Sequence, residues 1–225
     1  AYEMAVIIRE GIRQMTEEQQ NVFFYLTAMN EAYAQPAMPQ GVEDGIFKGM
    51  YLLEEDQRDA ACHVQLMGSG AILREVREAA KILREDYNIG ADVWSVTSYN
   101  ELRRDALSVE RWNRLNPAQP ERKPFLLEAL QDAKGPVVAA SDYMKVVPDQ
   151  VAPWLPGRLV SLGTDGFGRS DNRQHLRRFF EVNAEAVAAA ALSKLARDGK
   201  FDAAKAQQAI ADLGLDPESA DPAHL

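Results

Sequence analysis

Apolar positions recur along the chain in two rhythms, and each stretch reads as helix or strand according to the one it follows. Met4, Ile8, Ile12 and Met15 fall three or four residues apart, which predicts an opening helix ending near Thr16 with no capping residue ahead of it. The chain opens on Ala1, with no initiator methionine, and an uncapped helix there reads as cut from something larger. After Asn21, the aromatic and branched run Val22-Phe23-Phe24-Tyr25-Leu26-Thr27 predicts a buried strand. Residues 30–49 hold Pro36, Pro39, Gly41, Gly45 and Gly49, a composition that predicts a connector with at most one helical turn, and a domain boundary. The methionines of this connector read as filling between domains.

Beyond the connector, strand and helix patterns alternate. A short strand is expected at 50–54 and a firmer one at 63–67, running through Gly68-Ser69-Gly70 into a helix with Ile72, Val76, Ala79, Ala80 and Leu83 on one face. A strand at 91–97, a helix capped near Ser98, an irregular excursion at 113–124 with three prolines and a helix at 125–130 follow. A fourth strand occupies 136–141, and residues 142–145 read as a helix start cut short by Pro148 and Pro153. The fifth strand, around Val160 and Leu162, enters a turn in which Gly163, Gly166 and Gly168 let the backbone go where a Cβ would clash. Ser170 or Asp171 is the expected cap of the next helix, which carries Leu176, Phe179 and Phe180. Two further helices start at Asn183 and Asp202 and stop at Gly199 and Gly214, before a polar tail with Pro217 and Pro222. This alternation predicts an α/β fold with a mostly parallel sheet covered on both faces. In such sheets the loops at strand C-termini meet ligands and partners, so the glycine turn is either such a loop or simply a tight turn.

Composition narrows the classes. The 225 residues are 46% hydrophobic and 26% charged, enough for one large or two small domains with a real core. A net charge of −9 disfavours general affinity for nucleic acid or for anionic membrane lipid. Cys62 is the single cysteine, so there is no internal disulfide and no thiolate cluster for zinc, which suits a reducing cytosol. No apolar run reaches membrane-spanning length and no signal peptide opens the chain.

Candidate chemistry is sparse. Gly68-Ser69-Gly70 between strand and helix has the form of a dinucleotide-binding turn, but the third glycine of that fingerprint falls on Leu73 and no acid ends the next strand. His63, His175 and His224 form no pair with metal-ligand spacing, and neither Ser69 nor Ser170 sits in a Gly-x-Ser-x-Gly elbow. Arg169, Arg173, Arg177 and Arg178 gather at one helix start, where they would either receive an anion or acidic partner or form a solvated face paired with Asp171 and Glu181. Phe167 is expected to be an apolar anchor of the glycine turn, worth about 3 to 5 kcal/mol if fully buried.

Five motifs carry a resemblance: Leu66-Met67-Gly68-Ser69-Gly70, Asp92-Val93-Trp94-Ser95-Val96-Thr97-Ser98, Glu110-Arg111-Trp112-Asn113, Ser141-Asp142-Tyr143-Met144-Lys145, and Gly163-Thr164-Asp165-Gly166-Phe167-Gly168-Arg169-Ser170-Asp171. In this order the chain resembles the C-terminal quarter of the bacterial homodimeric type of pyruvate dehydrogenase, the thiamine-dependent decarboxylating component. Phe167-Gly168-Arg169-Ser170 alone resembles the wider transketolase family.

The resemblance implies that residues 1–45 end a middle, pyrimidine-binding α/β domain with its last helix and strand. Residues 46–225 would form a three-layer α/β/α transketolase C-terminal-like domain with a five-stranded, mostly parallel sheet and one antiparallel strand. It also implies a cytoplasmic bacterial enzyme that decarboxylates pyruvate on thiamine diphosphate with magnesium and reductively acetylates a lipoyl group. The implied partners are a second copy of the subunit and the dihydrolipoyl acetyltransferase component. The cofactor would lie between the N-terminal and middle domains, so no catalytic, cofactor-binding or metal residue is expected here and none is bound by this chain alone. Thr164-Asp165-Gly166 echoes the start of the family's diphosphate site, yet the paired asparagines would fall near Ala190. What remains is a candidate interface or anion site of Asp165, Phe167, Arg169, Ser170, Arg173 and Arg177, in a segment supplying scaffold and dimer contacts. The alternative is a free-standing anion- or protein-interaction module built on Arg169, Arg173, Arg177 and Arg178.

Overall fold

A computed structural model describes residues 1–224. Helix α1 (Tyr2–Thr16) and helix α2 (Glu43–Lys48) precede strand β1 (Met50–Glu54), strand β2 (His63–Gly68) and helix α3 (Leu73–Asp86). Strand β3 (Gly90–Val96), helix α4 (Tyr99–Leu115), helix α5 (Phe125–Ala129), strand β4 (Val137–Ala140) and helix α6 (Val146–Asp149) follow. Strand β5 (Leu159–Leu162) leads to helices α7 (Arg173–Phe179), α8 (Ala184–Arg197) and α9 (Ala203–Asp212).

The five strands form one sheet in the order β1-β3-β2-β4-β5, with β1 antiparallel to β3 and the other pairs parallel. The two-residue period of a strand divides the sheet's side chains between two cores. Val64, Leu66, Val93 and Val138 point to the side covered by α3, α8 and α9, with Val76, Leu83, Val187 and Leu192 packed on them. Met67, Trp94, Val96 and Val137 point to the side covered by α4 and α5, against Leu102, Leu126 and Leu155. Each of these buried aliphatic side chains stabilises the fold by about 1.5 to 3 kcal/mol. Helix α8 fits tightly because alanines at 184, 186, 188, 189 and 191 leave little but backbone between it and its neighbours. The three-layer α/β/α arrangement and the single antiparallel strand thus agree with the reading of the sequence.

One polar side chain lies at the centre of the sheet. Gln65 is fully buried, accepts from Trp94 Nε1 at 2.7 Å, and donates to Asp92 Oδ2 at 2.8 Å and to the Lys134 carbonyl at 3.1 Å. Its amide is satisfied on both ends, as burial demands.

Several expected elements differ. Residues 22–27 alternate between half-buried and exposed but join no ladder among the described residues, and Phe23 and Tyr25 are 88% and 86% exposed. The alternation is real on one side, since Phe24 packs near Phe47 with ring centroids 6.2 Å apart. What is missing is a neighbouring strand to pair with, so propensity alone makes no sheet. The connector's helical part is the six-residue α2. The helix expected from 142 begins at Val146 and lasts four residues. Asn172, not Ser170 or Asp171, caps α7 by accepting from His175 N at 3.0 Å, because the Asp171 carboxylate is taken by Asn172 N and His175 Nδ1. Asn183 stands at the start of α8 but accepts nothing at its buried Oδ1, and Glu75 receives the Ala184 N–H instead. Ser98 and Asp202 cap α4 and α9 as expected.

Candidate functional site

From β2 the chain crosses through α3 to β3 on one side, then returns through α4 and α5 to β4 on the other. The segments leaving the paired C-terminal ends of β2 and β4 part to opposite faces, which opens a crevice where an open α/β sheet ordinarily takes its ligand. Ser69 and Ser141 bridge the mouth, hydroxyl to hydroxyl at 2.9 Å, and Asp142 stands beside them. The space measures about 590 Å³ and is lined by Tyr25, Glu31, Ser69, Arg74, Thr97 and Asp142, among others. Burial pushes the Asp142 carboxyl above its ordinary range, while its own N–H and Arg177 pull it back.

The chain's own connector crosses this crevice. Thr27 Oγ1 accepts from the Tyr143 hydroxyl at 2.9 Å, and Asn30 Oδ1 accepts from Arg173 Nη2 at 2.7 Å. Glu31 then enters among three guanidinium groups, pairing with Arg74 at 2.8 Å, Arg177 at 2.5 Å and Arg173 at 3.7 Å. The hydrogen bond from Arg177 holds the Glu31 carboxyl below its ordinary range against the opposing effect of burial. Arg177, only 9% exposed, also reaches Glu75 at 3.2 Å, and Arg74 lies over the Tyr33 ring. Arg173 and Arg177 share a face of α7 because they are four residues apart.

The four arginines gathered by the sequence are therefore not one free receptor. Arg173 and Arg177 already hold an anion, Glu31; Arg178 turns away and donates to the Gly214 carbonyl at 2.7 Å; Arg169 sits 4.2 Å over the Phe179 ring. Neither Asp171 nor Glu181 pairs with any of them. Glu31 escaped the reading of the sequence because nothing local links it to Arg177, although it is the only acid between Glu18 and Glu43.

The glycine turn after β5 is stitched to the loop after β4. Thr164 Oγ1 donates to the Asp142 carbonyl at 2.8 Å and Asp165 Oδ2 accepts from Lys145 N at 3.0 Å. A Cβ at Gly163 would lie 2.6 Å from Lys145 N and from the Tyr143 carbonyl, so close approach excludes any larger residue. Of the three glycines only Gly166 has a positive φ, 103°, and Gly168 is open on all sides. Phe167 is 81% exposed and Ser170 is exposed. Phe167 is thus no anchor of this fold, because the loop that carries it lies outside both cores.

The Asp165 carboxylate is engaged by Lys145 N, and no group of three or more His, Cys, Asp or Glu side chains surrounds a metal position among the described residues. None of the helices there is long and apolar enough to cross a membrane.

At the other end of the crevice, the first turn of α1 is fastened to the sheet. Glu3 Oε1 accepts from the Tyr51 hydroxyl at 2.8 Å and from Ser95 Oγ at 2.6 Å, and Tyr2 meets Tyr51 hydroxyl to hydroxyl. Burial, followed by the contacts with Tyr2 and Glu3, raises the Tyr51 phenol well above its ordinary range. Glu3 thereby joins α1 to β1 and β3.

Residues 49–183, which hold the whole sheet and the stitched loops, match the transketolase-like TK C-terminal domain family. The chain belongs to that family. Residues 1–36, which carry α1 and most of the crossing connector, match the middle domain of the pyruvate dehydrogenase E1 component. Along almost its entire length this transketolase-like chain is similar to proteins named pyruvate dehydrogenase E1 component. That of Pseudomonas aeruginosa is 60% identical over 223 residues, covering 99% of this chain and 25% of the relative. Those of Escherichia coli K12 and Mycolicibacterium smegmatis are 49% and 46% identical, covering 99% and 98% of this chain and 25% and 24% of theirs. The chain thus spans about a quarter of the length of the curated relatives it matches. A looser likeness is to a solved transketolase from Pichia stipitis, 23% identical with a TM-score of 0.49 over 74% of this chain and 21% of that one.

Proposed function

We propose that the chain is part of a pyruvate dehydrogenase E1 component, in which it supplies scaffold and subunit contacts. The observation that carries this reading is the succession of a middle-domain match and a transketolase-like C-terminal match along one chain that is 60% identical to such a component. The whole protein then breaks the C1–C2 bond of pyruvate and releases CO2. The electron pair left on C2 reduces a lipoyl disulfide, which yields an acetyl thioester and a free thiol. Thiamine diphosphate and magnesium belong to the whole enzyme, outside the residues of this chain. The acetyltransferase component carries the lipoyl arm, and the enzyme is a homodimer of the bacterial cytoplasm.

Within this reading, residues 1–45 end the middle domain and residues 46–225 form the C-terminal domain. The bare apolar side of α1, with Met4, Ile8, Ile12 and Met15, and the exposed Phe23 and Tyr25 support the division, since a sheet of the middle domain would cover them. Phe167, Arg169 and Ser170 serve as subunit contacts, a role supported by a large aromatic side chain standing free between two glycines. Asp165, Arg173 and Arg177 act inside the chain and hold the loops and the connector that present those contacts.

Two measurements test the proposal together. The whole enzyme should decarboxylate pyruvate and acetylate a lipoyl domain only with thiamine diphosphate and magnesium present. Calorimetric titration of the 225-residue chain with the same cofactors should give no saturable heat. Micromolar binding to the chain alone would move the active site into it and overturn the assignment of scaffold.

A further inference from the structure

Helix α4 covers one side of the sheet with Tyr99, Leu102 and Ala106, all buried. Its opposite side carries Arg103, Arg104, Leu107, Arg111, Arg114 and Leu115, every one exposed. At 3.6 residues per turn these six positions fall within about 120° of arc, so they form one continuous face. Leu107 and Leu115 are 40% and 57% exposed. Of the four arginines only Arg104 has an ion-pair partner among the described residues, Glu101.

The excursion after α4 enlarges this face. Asn113 grips the backbone of Arg122 twice, accepting from its N–H at 3.0 Å and donating to its carbonyl at 2.9 Å. The grip sets the Arg122 guanidinium 3.5 Å over the Trp112 ring, with Lys123 exposed beside it. Two of the nearby acids are already engaged: Glu110 accepts from Trp154 Nε1 and Asp105 from Phe125 N. Six cations therefore share one flank of a chain whose net charge is −9.

Folding does not require this arrangement. Like charges three or four residues apart, as at Arg111 and Arg114, destabilise a helix by about 0.2 to 0.5 kcal/mol, and exposed leucines gain nothing from water. Arginine set around apolar side chains is instead the composition of a protein interface.

We infer that the outer face of α4, extended by Arg122 and Lys123, is a docking surface for an acidic amphipathic protein segment. Leu107 and Leu115 stand about 12 Å apart along the helix at 1.5 Å per residue, and Arg111 lies between them. A partner that presents two apolar side chains two helical turns apart, flanked by carboxylates, matches both the spacing and the charge. A second copy docking through the same face is disfavoured, since a two-fold contact sets arginines against arginines. Charge attraction supplies the encounter rate, and burial of the leucines supplies the residence time.

The test is fluorescence anisotropy of the full chain with a labelled glutamate-rich helical peptide carrying leucines eight residues apart, at low and high salt. Saturable binding is expected. Arg103→Glu with Arg111→Glu should weaken it about tenfold or more and flatten its salt dependence. Leu107→Ser with Leu115→Ser should weaken it several-fold and leave the salt slope unchanged. All four side chains are exposed, so an unaltered thermal midpoint is expected of both variants and separates lost docking from lost folding. The inference is overturned if either pair of substitutions leaves affinity unchanged, or if the peptide with serines in place of leucines binds equally well. Tighter binding to duplex DNA would overturn it as well. So would a self-association that Arg111→Glu abolishes.

Discussion

Arg177 Nη2 donates to Glu31 Oε2 across 146 residues of sequence, and this pair fastens the connector over the crevice between β2 and β4. Both side chains are nearly buried, at 10% and 11% exposure, so removing either leaves a desolvated charge behind. Glu31→Ala is expected to cost about 3 kcal/mol in urea unfolding. A loss below about 0.5 kcal/mol would reduce the pair to an ordinary surface bridge.

Acid should release the same fastening. The Glu31 carboxyl lies below its ordinary value of 4.5 in the folded chain, so its stabilisation is fully present above that pH and is lost as the pH falls through the depressed value. Asp142 has the opposite sign: its folded value is raised above 3.8, so its ionisation costs stability at neutral pH and the cost fades in acid. Glu31→Gln should therefore destabilise at pH 7 and lose that effect only as acid protonates the folded carboxyl, whereas Asp142→Asn should stabilise at pH 7 and lose that effect as the pH falls toward 3.8. Unfolding free energies collected across this range decide it, and parallel pH profiles for the two variants would contradict both signs.

Phe167→Ala should change the unfolding free energy of the chain by no more than about 0.5 kcal/mol, because an exposed side chain has little packing to lose. On the proposed reading, the same substitution in the whole protein should raise the dissociation constant of the subunit pair, as read by sedimentation. A drop of 3 kcal/mol in the isolated chain would mean that the loop folds back onto a core.

Gly163 and Gly168 make a matched pair. Gly163→Ala drives a Cβ to 2.6 Å from backbone atoms of two residues and should destabilise by more than about 2 kcal/mol. Gly168→Ala meets open space and should fall within about 0.5 kcal/mol of the parent. Thermal unfolding of the two variants, run together, tells loop stitching from a general need for flexibility.

The sheet was legible because its strands are short apolar runs bounded by glycine or proline, and α3 because Val76, Ala79, Ala80 and Leu83 repeat at helical spacing. The absent ladder at 22–27 was not legible, since the residues have a strand's composition and only a partner decides whether they pair. The arginine cluster was visible as a cluster but not as a bound one. Its anion comes from the far end of the chain, and sequence spacing carries no information about a contact that only the topology creates. Exposure of Phe167 was hidden for a related reason, because glycines flank buried and bare turns alike.

Gln65 gives the central strand a means of checking its own alignment. Parallel strands of mostly apolar side chains tolerate sliding, since one valine replaces another at little loss. A slip of one residue would carry the Gln65 amide to the opposite face, away from Asp92 and the Lys134 carbonyl, and leave Trp94 Nε1 without its acceptor in the buried core. Misaligned sheets are thus penalised at their centre, where the apolar pattern discriminates least, and the chain reaches one registry instead of several near-equal ones.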